Sequence, residues 1–249
     1  MIVDKRLLKN YYERQGEESN PHVYESMSLR NILFVNRRRI IRNLLAAQGV
    51  SLDLGCGTGI YSVDLVRKGC EVVSLDISRS YLLKARKLSV TLGVEHMQNF
   101  IEADAEYLPF RSNAFDFVLC SETLEHVADY KRTLFEIFRI LRRSGTLVIS
   151  IPSGISVTEL LLYGWEHIHR INPRWLKKFL LMNKFAVLKE VNFNFGAYIL
   201  HIIFRDSRSD SATTKFTLLK MYLIFDSLIS RIWILKSISW GYAVKAIKR

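Results

Sequence analysis

The sequence predicts a doubly wound α/β domain, and three observations carry that prediction. Short apolar runs that read as strands alternate with amphipathic stretches that read as helices. A glycine-rich turn, Gly55-Cys56-Gly57-Thr58-Gly59, stands where the first strand gives way to a helix. Acids stand at or just past the ends of strand-like runs, as at Asp76 and Asp104. A chain of 249 residues, 49% of them hydrophobic, can bury one full core plus extra elements and needs no second domain.

The elements follow in order. Residues 10–28, polar and rich in tyrosine and glutamate, read as a lid or a short helix and loop, with Tyr11, Tyr12 or Tyr24 in reach of a ligand. Residues 29–48 place Leu29, Ile32, Leu33, Ile40, Ile41, Leu44 and Leu45 near helical spacing and lead into the first strand. After the glycine loop, residues 60–68 form a helix that Gly69 can end. Residues 70–76 are a second strand. Ser78 then caps a helix that Gly93 stops. Residues 99–102 and 115–121 are the third and fourth strands. The helix over 130–143 turns at Ser144-Gly145 into a buried strand over 146–151. Pro173 suits the first turn of a helix over 173–182. Residues 185–195 and 198–204 alternate as two strands joined near Gly196.

Glycine lacks a Cβ, so a G-x-G-x-G turn brings main-chain amides close to a ligand and adopts φ values other residues resist. A dinucleotide fingerprint requires a third glycine one residue later, and a phosphate loop requires a following Lys-Ser/Thr; neither is present. With Asp53 before the first glycine, Leu52 to Gly59 resembles motif I of the class I S-adenosylmethionine-dependent methyltransferases. The resemblance covers roughly residues 45–205. It implies a Rossmann-like, mostly parallel seven-stranded sheet with a reversed last strand. It implies S-adenosylmethionine as cofactor, held by Asp53, Gly55, Cys56, Gly57 and Gly59. Asp76 would meet the ribose and Asp104 the adenine, Ser121 would face the sulfonium, and Ile77 and Ala105 would also contact the cofactor. Each acid also reads as a turn former or helix cap.

Methyl transfer from a sulfonium is an in-line displacement in which positioning can supply most of the catalysis, leaving a proton to be removed from the acceptor. Ser121-Glu122-Thr123-Leu124-Glu125-His126-Val127 offers groups for that task, and its E-x-x-E-H spacing places Glu122, Glu125 and His126 on one turn if the segment is helical. The segment is similar to that of quinone-biosynthesis O-methyltransferases and small-RNA 2′-O-methyltransferases. That similarity implies a divalent cation held by Glu122, Glu125, His126 and His167, the last within Trp165-Glu166-His167-Ile168-His169. Without metal, His126 or His167 is the candidate base, beside Glu122. Equally, Glu and His here only shape the loop.

Net charge is +12, with residues 1–49 at +4, 50–206 at +2 and 207–249 at +6. The chain divides into an N-terminal helical cap (1–48), a cofactor-binding domain (49–206) and a basic extension (207–249). Basic flanks suit an anionic partner, a membrane surface or nucleic acid, although Arg37-Arg38-Arg39 reads equally as a solvated face. Cys56, Cys70 and Cys120 show neither disulfide nor zinc spacing and, with no signal-like apolar core after Met1, fit a reducing cytoplasm.

In the extension, Met221, Phe225, Leu228, Ile232 and Leu235 share one side at helical spacing. This suits an in-plane membrane helix with Trp233 or Trp240 near the headgroups, or a helix packed on the domain or in a dimer. The leading expectation is O-methylation of a small lipophilic or lipid-like acceptor, with the protein cytoplasmic or membrane-associated. An RNA methyltransferase is the alternative suggested by charge, although Ser121 to Leu124 lacks the Asn/Asp-Pro-Pro-aromatic motif of base-amino enzymes. A non-catalytic cofactor-binding protein is the alternative from another class.

Overall fold

The computed structural model describes residues 5–18, 29–45, 49–153, 167–194, 212–229 and 239–249. Two helices, α1 (Lys5–Glu18) and α2 (Leu29–Leu44), precede β1 (Val50–Leu54) and α3 (Ile60–Val66). Then come β2 (Glu71–Asp76), α4 (Arg79–Thr91), β3 (Gln98–Glu102), β4 (Phe115–Ser121), α5 (Tyr130–Ile140) and β5 (Leu141–Pro152). The chain continues through α6 (Pro173–Met182), β6 (Phe185–Phe193), α7 (Ala212–Ile229) and β7 (Gly241–Lys248). The sheet has seven strands in the order β3-β2-β1-β4-β5-β7-β6. β1 to β5 pair in parallel, and β7 runs antiparallel to both β5 and β6.

Alternation along the strands divides two cores. Leu52 and Leu54 of β1, Val118 and Cys120 of β4, and Tyr242, Val244 and Ala246 of β7 face Leu134, Ile137, Leu176 and Leu180 of α5 and α6. Phe117, Leu119, Val148 and Ala243 face the opposite way, onto Ile41, Leu44, Tyr61 and Leu65 of α2 and α3. Both faces are covered, so these strands read as nearly continuous apolar runs.

Caps form where the sequence places them. Ser78 Oγ accepts from the Tyr81 amide at 3.3 Å, Asn172 caps α6 ahead of Pro173, and Gly93 (φ 67°) follows α4. Three expectations change. The helix over 130–143 ends at Ile140, because Leu141 already pairs with Phe115 as β5 begins. The N-terminal lid is a 14-residue helix beginning at Lys5. The strand expected at 198–204 lies outside the described residues, and the partner of β6 comes instead from Gly241–Lys248. The last eight strand residues, which the sequence grouped with an extension beyond the domain, therefore lie inside the sheet, and α7 belongs to an insertion between β6 and β7.

Candidate active site

Strand order reverses between β1 and β4, and a cavity of about 570 Å³ opens beyond the C-terminal ends of β1, β2, β3 and β4. Its floor is the turn after β1. Gly55, Gly57 and Gly59 all have positive φ (72°, 51° and 82°), the left-handed region that favours glycine. Their tasks differ. A Cβ on Gly55 would collide with Thr123, and one on Gly59 would stand 2.7 Å from the Ala85 Cβ, so these two glycines let neighbouring segments close on the loop. Gly57 has open space where a Cβ would be and lines the cavity.

Asp76 ends β2 with its carboxylate in the cavity. Oδ2 accepts the Gly57 amide and Oδ1 the Ser78 amide, both at 2.9 Å. Burial outweighs those donors and pushes its pKa up to about 6. Ile77, Cys56, Asp104, Ala105 and Ser121 also line the cavity. Asp53 does not. It lies beneath the loop, accepts from the Ser62 hydroxyl at 2.6 Å, and is pushed by burial to about 7. The sequence assigned it to cofactor binding; the structure makes it a support that ties β1 to α3.

α1 lies across this cavity. Lys5 Nζ meets Asp104 Oδ2 at 2.8 Å and Glu106 Oε2 at 2.6 Å, Glu13 accepts from the Ser80 amide and hydroxyl, and the Tyr12 hydroxyl lies 2.7 Å from His126 Nδ1. Of the lid tyrosines, Tyr12 lines the cavity; Tyr24 lies outside the described residues.

The segment after β4 is a turn and not a helix, closed by the His126 amide on the Thr123 carbonyl at 3.0 Å. Glu122 sits at φ 53°, a conformation that throws its side chain away from Glu125. Its carboxylate instead meets Arg37 Nη1 at 2.8 Å and accepts from Ser150 Oγ at 3.1 Å. The remaining three residues of the expected set do converge. Glu125, His126 and His167 present ligand atoms within 4.8 Å of one another, and the two imidazoles lie 4.9 Å apart. His169 turns elsewhere, its Nε2 at 3.1 Å from the Ala128 carbonyl. Trp165 and Glu166 lie outside the described residues.

Arg37, Phe34 and Tyr61 line the same cavity and were not singled out from sequence. A signal existed. Phe34, Arg37, Ile41 and Leu44 fall at i, i+3, i+7 and i+10, so Arg37 belongs to the inward face of α2. Its neighbours are also engaged: Arg38 grips the buried Asp64 at 2.8 and 2.9 Å, and Arg39 donates to Asn36 at 2.9 Å. Arg37 and Arg38 are therefore held by carboxylates of the fold, while Arg39 stays exposed, as the solvated-face reading expects.

A doubly wound sheet with a glycine-lined cavity at its switch point and a carboxylate ending β2 defines a domain built for an adenosyl group. Residues 52–149 match the family described as a methyltransferase domain. The chain is 37% identical over 127 residues to the ubiquinone/menaquinone biosynthesis C-methyltransferase UbiE of Blochmanniella floridana, covering 48% of this chain and 50% of that one. It is 33% identical over 126 residues to the ubiquinone biosynthesis O-methyltransferase of Pseudomonas fluorescens (strain SBW25), covering 49% and 53%. The matched part thus spans about half the length of these relatives. A solved S-adenosylmethionine-dependent methyltransferase from Archaeoglobus fulgidus shares the fold, with a TM-score of 0.60 at 22% identity over 89% of this chain and 95% of that one. Residues 52–149 are thus similar to a methyltransferase domain, and the fold around them is shared with solved S-adenosylmethionine-dependent methyltransferases.

Proposed function

We propose that the protein transfers a methyl group from S-adenosylmethionine to a hydroxyl of a small, lipophilic, phenol-like acceptor, with His126 as general base. The bound donor supplies a methyl already activated on a positive sulfonium. The open face of Gly57 and the Asp76 carboxylate suit its ribose, while Ile77, Asp104 and Ala105 suit its adenine.

The observation that carries the acceptor chemistry is the 2.7 Å contact between Tyr12 Oη and His126 Nδ1. Burial raises the Tyr12 pKa, so its hydroxyl stays protonated. With the proton on Nε2, 3.9 Å from Glu125 Oε1, the other ring nitrogen, Nδ1, is the one that accepts. A phenol thus already rests against the candidate base, and an acceptor hydroxyl entering beside Phe34 and Tyr61 can take its place. Nδ1 then receives the acceptor's proton while Glu125 steadies the imidazolium. The likeness to quinone-biosynthesis enzymes supports a lipophilic ring as acceptor.

A second reading rests on the convergence of Glu125, His126 and His167. Two imidazoles and one carboxylate suit a divalent transition metal, which would lower the pKa of a bound acceptor hydroxyl. Glu122 stands outside that set. The test of the leading reading is incubation with methyl-labelled S-adenosylmethionine and fractionated extract. Label in a lipid-extractable phenol or quinol supports it; label confined to RNA or protein overturns it.

A further inference from the structure

The C-terminal half of α7, residues 221–229, is arranged inside out. Among its described side chains Asp226 and Tyr222 are buried, 1% and 5% exposed, whereas Met221, Ile224, Phe225 and Leu228 are 62%, 62%, 47% and 58% exposed. The four apolar side chains fall at i, i+3, i+4 and i+7, so they form one continuous ridge. The polar side docks onto the domain through a buried network. Asn36 of α2 donates to Asp226 at 2.7 Å and to Asn194 at 2.9 Å, Tyr222 donates to Asn194 at 3.3 Å, and Asn194 donates to the Leu33 carbonyl at 3.3 Å. A helix surrounded by water on its outer side gains by burying the four apolar residues and exposing the aspartate. This one does the reverse, so its outward face matches an apolar medium.

We infer that the ridge of α7 seats the protein on an anionic lipid bilayer, with the helix lying in the headgroup plane. This deepens the lipophilic-acceptor reading and rests on it for its purpose, though its geometry lies outside the cofactor cavity. Three observations select the bilayer over other occupants. Residues 195–240 hold six basic and three acidic residues, and one of those acids is the inward-facing Asp226, so the segment complements anionic headgroups. A second copy seated across a two-fold axis would bring the same positive segments together. No helix among the described residues is long and apolar enough to cross a membrane, and the exposed apolar residues occupy one side of the helix only, as an in-plane seat requires.

The seat also connects to the cavity. Asn36 holds α7, and the next residue, Arg37, reaches Glu122 at the cavity wall.

The test is co-sedimentation of the full chain with vesicles of phosphatidylcholine alone or with about 30% phosphatidylglycerol. A truncation at Asp206 is unsuitable because it removes β7. The full chain is expected to sediment with the anionic vesicles, less with the neutral ones, and less again in high salt. Phe225→Ser/Leu228→Ser alters exposed residues only, and is expected to weaken association about tenfold or more while leaving the unfolding midpoint unchanged. Equal sedimentation of the two chains, or none of either, overturns the inference. A concentration-dependent dimer that the double variant dissolves assigns the ridge to a second copy and overturns it as well. Calorimetry with S-adenosylhomocysteine separates the two readings: binding without vesicle association leaves the methyltransferase reading standing alone, and vesicle association without binding leaves the ridge standing alone.

Discussion

Tyr12 Oη and His126 Nδ1 lie 2.7 Å apart although 114 positions separate them, which brings the N-terminal helix against the turn after β4. If Nδ1 is the base, His126→Ala lowers kcat by about a hundredfold or more with little change in S-adenosylhomocysteine affinity. Tyr12→Phe removes only the resident phenol and leaves kcat within about tenfold. The measurement is steady-state turnover beside calorimetry; full activity in His126→Ala removes the base assignment.

Asp76 gives a pH dependence with a defined sign. Burial lifts its pKa from 3.8 to about 6, so the folded chain holds this proton to higher pH than the unfolded chain. The group's contribution to stability therefore falls as pH rises from about 4 to about 6 and is level above that window. Cofactor binding runs the other way, since two ribose hydroxyls are best accepted by the carboxylate. Affinity for S-adenosylhomocysteine is expected to rise with pH through about 6, and Asp76→Asn to bind weakly with a flat profile. A flat profile in the unmodified protein contradicts this.

The loop glycines separate binding from folding. In Gly59→Ala the new methyl meets the Cβ of Ala85 at 2.7 Å and its Cα at 3.0 Å, forcing α3 and α4 apart. A loss of about 2–4 kcal/mol follows, read by denaturant unfolding. Gly57→Ala meets nothing within 4 Å and bears only the strain of φ 51°, about 1 kcal/mol. Its methyl projects into cofactor space instead, so affinity falls about tenfold or more while the fold persists.

The metal reading is checked by titrating Mn²⁺ and Zn²⁺ into the protein. One site is expected, with His167→Ala weakening it about tenfold or more and Glu122→Gln leaving it unchanged, because Glu122 pairs with Arg37. Absence of heat with either ion removes the cation.

Where function shows in the chain, local pattern carries it. The three glycines, the strand-ending Asp76 and the Ser78 cap could be read from residues within a few positions of one another, because a turn or cap is set by local backbone demands. The E-x-x-E-H segment was legible as a cluster but not in shape. Spacing cannot reveal that Glu122 adopts a left-handed conformation and joins Arg37, 85 positions away. Asp53 misled for a related reason: alternation along β1 turns its carboxylate under the loop toward Ser62. Arg37 and Arg38 looked solvated because their acceptors, Glu122 and Asp64, are brought to them only by the fold. The pairing of β6 with Gly241–Lys248 was not legible because some 47 residues lie between the two strands, and local pattern does not specify which distant segment pairs with which.

The position of β7 governs how the molecule is assembled. Residues 194–240 intervene between β6 and the strand that joins it to β5, so a growing chain completes six strands while two unpaired edges wait for a seventh. Such edges invite pairing with other chains, and their late closure makes this half of the protein the slow and aggregation-exposed part of its folding. Damage to the final strand should therefore be felt first as lost solubility, before any defect in methyl transfer becomes measurable.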